Sequence, residues 1–144
     1  MLSSYPTNGK NTSKNIRESS IQKKIEKILF SLVNTGLYES IYLYNADGLP
    51  LVENQPSSKI NNVDPVEISV MMSQIRQALS RLDDLGHINE IVIEGSNGKK
   101  IVFRYIYLFE QMTTLIAIIP AGKYYRNITN RLQKTLVQLC ETEH

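Results

Sequence analysis

Residues able to carry chemistry are few in this chain and poorly grouped. There are two histidines and one cysteine. Asp83, Asp84 and His87 stand close in sequence and have the side chains of a metal site. Metal sites need more converging donors than this, so the stretch reads better as a charged helix end followed by an exposed strand start. His144 is the last residue and is expected to fray. Cys140 has no histidine near it in sequence and flanks an apolar helical stripe, the setting of a structural thiol rather than a nucleophile. Gly122-Lys123 is not a phosphate loop, because the earlier glycine is missing and neither Ser nor Thr follows the lysine. No catalytic residue, metal site or cofactor motif emerges, and the chain reads as a non-enzyme.

The totals agree with an interaction role. At 144 residues, 42% of them hydrophobic and 21% charged, the chain suits one soluble globular domain. A net charge of +2 is too small to imply nucleic acid. One cysteine rules out an internal disulfide and fits a reducing, cytoplasmic setting. No signal peptide or membrane-crossing apolar run is evident, so no direct membrane insertion is expected. Residues 1–18 are polar and basic and read as a disordered tail, leaving 19–144 as the domain. Lys10, Lys14, Arg17, Lys23, Lys24 and Lys27 make this region basic, but Glu18 and Glu26 dilute it, as in a solubilising face.

The elements that would position any site are easier to read. A first helix is expected from Ser19, where Ser19 and Gln22 have capping-box spacing, with Ile21, Ile25, Ile28, Leu29 and Leu32 as its apolar stripe. Gly36 suits its end. Phe30 falls on the opposite face, where it could dock a partner. Residues Ile41 to Asn54 predict a hairpin, because Asp47-Gly48 lies between two apolar runs. Pro50 lacks an N–H and confines its return strand to an edge. After a polar loop from Gln55 to Val63, Asp64-Pro65-Val66-Glu67 combines an N-cap, a proline at the first helical position and a capping box. Ile68, Met71, Met72, Ile75, Ala78, Leu79, Leu82 and Leu85 then form a stripe, read as the core side, and Gly86 closes this second helix. Strands are predicted over His87–Glu94, Lys100–Leu108 and Thr113–Ile119, with Gly95-Ser96-Asn97-Gly98 as a turn. A third helix follows from about Lys123 on Tyr125, Ile128, Leu132, Leu136 and Leu139. The fold class is α+β: a five-stranded antiparallel sheet with two helices on one face and one on the other.

The second helix suggests an interface. Opposite its stripe lie Val66, Val70, Ser73, Gln77, Ser80 and Asp84, a nearly uncharged strip flanked by Arg76 and Arg81. Exposed helix faces ordinarily carry Lys and Glu, whereas charge depletion with arginine at the margin marks interfaces. The strand His87–Glu94 has a free edge that invites a second copy, with Ile91 and Ile93 on one face.

Three stretches carry a family resemblance: the hairpin I-Y-L-Y-N-A-D-G-L-P-L; the second helix followed by G-H-I-N-E-I-V-I-E-G; and T-L-I-A-I-I-P-A-G-K-Y-Y-R-N-I-T-N-R-L. In order and spacing they resemble the roadblock family, the dynein light-chain type domain, over roughly Ile21 to Leu139. The resemblance implies dimers with a second copy or a related roadblock chain, through the third strand and second helix at Val70, Ser73, Gln77, Ser80, Ile91 and Ile93, with Arg76 and Arg81 flanking that face. It implies binding and regulation of a small Ras-like GTPase, as in bacterial gliding-motility regulators, or scaffolding of GTPases or motors. It supplies no catalytic residue and no cofactor. A structural adaptor without effect on hydrolysis is the second reading. A small-ligand sensor ranks last, since no buried polar cluster is evident to orient a ligand.

Overall fold

A computed structural model describes residues 9–52, 64–82 and 84–142. The elements are α1 (Gly9–Asn34), β1 (Ser40–Asn45), α2 (Pro65–Leu79), β2 (Glu90–Glu94), β3 (Lys100–Leu108), β4 (Gln111–Ile119) and α3 (Arg126–Thr142). The strands form one antiparallel sheet in the order β1-β4-β3-β2. The apolar run of β4 therefore lies inside the sheet, and β2 is an edge strand.

Two layers cover the sheet. On one face, Ile21, Ile25 and Leu29 of α1 and Leu132, Leu136 and Cys140 of α3 pack against Ile41, Leu43, Val102, Ile106, Leu115, Ala117 and Ile119. On the other, Met72 of α2, with Ile68 beside it, packs against Tyr42, Tyr44, Phe103 and Ile116. This is the expected two-plus-one arrangement of helices.

Among the described residues the sheet has four strands, not the expected five. The hairpin turn forms: Asn45 N–H donates to Leu49 O at 2.9 Å, Asn45 Oδ1 accepts from the N–H groups of Asp47 and Leu49, and Gly48 sits at φ +81°. Among the described residues, the return arm makes the bridge of Tyr44 with Pro50 and a bond from Leu51 N–H to Leu43 O at 3.0 Å. Leu49 and Leu51 point their backbone groups at β1, so Pro50 between them faces the outer side, where its missing N–H blunts the sheet edge. Leu51 and Val52 turn inward and are buried.

Two helix boundaries also differ from expectation. α1 begins at Gly9 rather than near Ser19, so the helix takes in residues 9–18 ahead of the expected start; residues 1–8 lie outside the described residues. Between Lys10 and Ser20 there is no proline or glycine to stop the helix extending backward. α2 starts as expected, with Asp64 accepting from Val66 N–H at 2.9 Å, but ends at Leu79, so Leu82 and Leu85 lie in turns rather than on the helix. Leu82 and Leu85 are exposed.

Candidate interaction face

α2 is held on the sheet by its polar side. Ser69, Met72 and Ser73 are the buried residues of the helix, and Arg76 is half-buried beside them. The Arg76 guanidinium lies 5.2 Å from the centre of the Tyr105 ring. The Tyr105 hydroxyl donates to Met72 O at 2.8 Å, fastening the helix to β3. Ser69 Oγ and Arg76 Nε are enclosed without a hydrogen-bond partner among the described residues. Burial pushes the Tyr44 and Tyr105 phenols up to about 12, a shift that Arg76 opposes at Tyr105 and that Tyr42 and Asp64 add to at Tyr44.

The rotation of α2 shifts the sequence reading of its faces: Ile68 and Met72 pack on the sheet as read, and Gln77 and Ser80 are exposed as read, but other positions differ. Met71 (54% exposed), Ile75 (37%) and Ala78, assigned to the core stripe, face outward. Ser73, assigned to the partner strip, is buried against the sheet. Val66 and Val70 lie against the hairpin turn, where a Cβ on Gly48 would come within 2.9 Å of a γ-methyl carbon of each valine. Gln77, Ser80 and Arg81 are exposed, as is Asp84. The physical reason is the aromatic sheet surface. Tyr42, Tyr44, Phe103 and Tyr105 fill the space under α2, leaving room for small side chains and one methionine.

The β2 edge also carries apolar residues on the α2 side of the sheet. Ile91 and Ile93 stand on the α2 side, opposite Phe103 and Ile101. Ile91 is half-buried, whereas Ile93 is 49% exposed. The open face therefore comprises Met71, Ile75 and Ala78 on α2 and Ile93 at the sheet edge, with Gln77, Ser80 and Arg81 at its margin. Of the predicted interface residues, Ile93, Gln77, Ser80 and Arg81 are accessible; Val70, Arg76 and Ile91 are partly so, and Ser73 is not. Sequence reasoning missed Met71 and Ile75. The available signal was the pair Ser69 and Arg76 on one side of the helix, polar residues suited to a tyrosine-lined sheet.

The other candidates do not come together as sites. His87 and Asp84 are exposed, and Asp83 lies outside the described residues. Among the described residues no group of three or more His, Cys, Asp or Glu could hold a metal ion. Cys140 is buried in the α1/α3 core, and burial raises its thiol pKa. Phe30 is 39% exposed on the outer side of α1. No described helix is long and apolar enough to cross a membrane.

No protein-family model matches the chain, and neither does any curated protein sequence. Solved structures do match its fold. The structure titled Myxococcus xanthus MglB is 13% identical, with a TM-score of 0.68 over 99% of this chain and 97% of that one. The gliding protein MglB of Thermus thermophilus is also 13% identical, with a TM-score of 0.64 over 87% of this chain and 92% of that chain. A Roadblock/LC7 domain from Streptomyces avermitilis is 17% identical, with a TM-score of 0.52 over 78% and 91%. A further MglB structure, 14% identical with a TM-score of 0.65, is described as a tetrameric arrangement. The fold of this chain is of the roadblock type.

Proposed function

We propose that this chain is a non-enzymatic, homodimeric regulator or binding partner of a small Ras-like GTPase. The observation that carries the reading is the open apolar face of α2, Met71, Ile75 and Ala78, together with Ile93, exposed at the edge strand on the same side of the sheet. Exposed apolar side chains grouped with a polar margin are the composition of an interaction site. A second copy would cover this face through an isologous contact, placing the two α2 helices together. The paired helices would then contact the switch loops of the GTPase, changing hydrolysis without a nucleotide site of their own. The roadblock-type fold and the family resemblance support this choice of partner, and a cytoplasmic location belongs to the same reading.

Arg81 is exposed at the end of α2, whereas Arg76 rests over Tyr105. An arginine serving affinity at the rim fits both better than a finger reaching a transferred phosphate. Replacing both with Ala is expected to weaken binding while leaving the maximal GTPase rate unchanged. Loss of that rate at saturating protein would restore the finger. The decisive experiment is a pull-down of the organism's small GTPases, loaded with GDP or a non-hydrolysable GTP analogue, on the intact chain. Nucleotide-dependent capture is expected; capture in neither state would leave the structural adaptor as the function.

A further inference from the structure

The outer surface of the α1/α3 layer carries a charge that neither the core nor the α2 face uses. α1 and α3 together hold nine of the sixteen lysines and arginines but only three of the fourteen acids. The chain as a whole is +2, so the rest of it is net negative. α2, on the other side of the sheet, has one residue of each sign, Glu67 and Arg76.

Burial fixes which of these cations face outward. In α1, Ile21, Ile25 and Leu29 are buried against the sheet. Lys23 and Lys27 each stand two residues beyond a buried isoleucine, about 200° around the helix, and both are exposed. Phe30 lies on the same outer line, at the i+7 position from Lys23, and is 39% exposed. In α3, Thr129, Leu132, Leu136 and Cys140 are buried, while Arg131 and Lys134 fall on the exposed side. Among the described residues, Lys23, Lys27, Arg131 and Lys134 take part in no ion pair. Glu26, which the sequence sets among the lysines, is half-buried, and Glu141 stands near the far end of α3. Toward its start α1 adds Lys10, Lys14 and Arg17, against Glu18.

We propose that this face adsorbs the chain to an anionic lipid surface, with Lys23, Lys27, Arg131 and Lys134 at the headgroups and the Phe30 ring among them. Three observations choose lipid over an acidic protein. Clusters of about 4–8 Lys and Arg on one helix are the pattern that anionic headgroups attract, and α1 holds six. Five of those six are lysine, a flexible point charge, whereas the fixed carboxylates of a folded partner are better matched by the planar fork of arginine. Phe30 stands in the lysine row, and an aromatic ring beside cations suits the boundary between headgroups and acyl chains. The two helix layers cover opposite faces of the sheet. A chain adsorbed through α1 and α3 therefore keeps α2 open to its own partner, and the adsorption does not depend on what that partner is.

Co-sedimentation of the intact chain with vesicles tests this. Vesicles of equal parts phosphatidylcholine and phosphatidylserine should carry the chain down, and phosphatidylcholine alone should not. Added salt should weaken the binding, because exposed charges are screened. Each cation near an anionic surface is worth about a fivefold gain in partition. Lys23→Gln combined with Lys27→Gln should therefore weaken binding by about twentyfold, and Lys23→Arg with Lys27→Arg should retain it. Both positions are exposed, so circular dichroism should show an unchanged fold. Phe30→Ala should lower partition by about threefold at any salt concentration; full binding by that variant would remove the ring from the contact. Arg81→Gln takes one charge from the α2 side and should leave partition unchanged. Equal losses from Arg81→Gln and Lys27→Gln would show attraction to net charge with no chosen face, and would overturn the proposal. A chain that ignores both kinds of vesicle but binds polyglutamate would make the face a dock for an acidic protein, and would overturn it as well.

Discussion

The two faces of the sheet are built on opposite plans. Against one, α1 and α3 lay down aliphatic stripes that close completely; Ile25, Leu29 and Leu136 have no exposed surface, and the Tyr38 hydroxyl is bonded to Thr129 Oγ1 at 2.7 Å. Against the other, α2 turns serines, an arginine, Ile68 and a single well-buried methionine toward four aromatic rings, and leaves Met71, Ile75 and Ala78 outside. The first face satisfies itself and holds the domain together. The second leaves Met71 and Ile75 exposed, and the proposed second copy would cover them. The difference directs attention to α2, the one described helix that leaves a group of apolar side chains, Met71, Ile75 and Ala78, open on its outer side.

Substitutions on the closed face should cost the most. Leu136→Ala removes a fully buried side chain from a core bounded by two helices and the sheet. A loss of about 2–5 kcal/mol is expected in denaturant unfolding. A cost below about 1 kcal/mol would mean that the two faces do not differ as described.

The bond fastening α2 to the sheet is weaker. Tyr105→Phe removes the donor to Met72 O and should cost about 1 kcal/mol. The same tyrosines predict alkaline behaviour. Their phenols titrate near 10 in the unfolded chain and are pushed up to about 12 in the fold. Between those values the unfolded state releases its protons first, so stability is intact below pH 10 and falls as pH rises toward 12. Tyr105→Phe should shallow that fall, which unfolding curves across the alkaline range would measure.

How much of this was legible differs along the same lines. The α1 and α3 stripes could be read directly, because those helices bury the residues their periodicity groups together. The Asp64-Pro65 cap gave the start of α2, and Asn97-Gly98 marked the β2–β3 turn, where Gly98 sits at φ +84°. The rotation of α2 was hidden, because periodicity reports which residues share a face and not which partner covers it. Met71 and Ile75 were grouped correctly and assigned to the wrong side. The expected fifth strand is reduced, among the described residues, to the Tyr44–Pro50 bridge and the Leu51–Leu43 bond, and the alternating apolar pattern did not show how short it would be. The ion pair of Arg104 with Glu90 was also hidden, since it depends on register between strands and no local pattern announces it.

The β3–β4 turn carried no sequence signal either. Phe109 and Glu110 both adopt positive φ, 52° and 60°, without glycine or asparagine. Phe109 packs against the α1/α3 core, so the closed face holds this turn in a conformation its residues disfavour. Glu110→Gly should therefore stabilise the fold modestly, by about 0.5 kcal/mol once the entropy of glycine is counted. A destabilisation would show that Glu110 makes a contribution its backbone does not reveal.

The smallest effect on folding should accompany the largest on association. Ile75→Glu places a charge on an exposed position of α2, where a substitution ordinarily changes stability by no more than about 0.5 kcal/mol. If the open face is covered by a second copy, the same charge is buried in the middle of the contact, twice, next to its own symmetry mate. Sedimentation should then show a monomer whose unfolding free energy, measured where the unmodified chain is also monomeric, is unchanged. Loss of folding with loss of association would place Ile75 in the core after all. A dimer that survives would show that the apolar side of α2 is reserved for another partner, and that the free edge of β2 holds the pair without it.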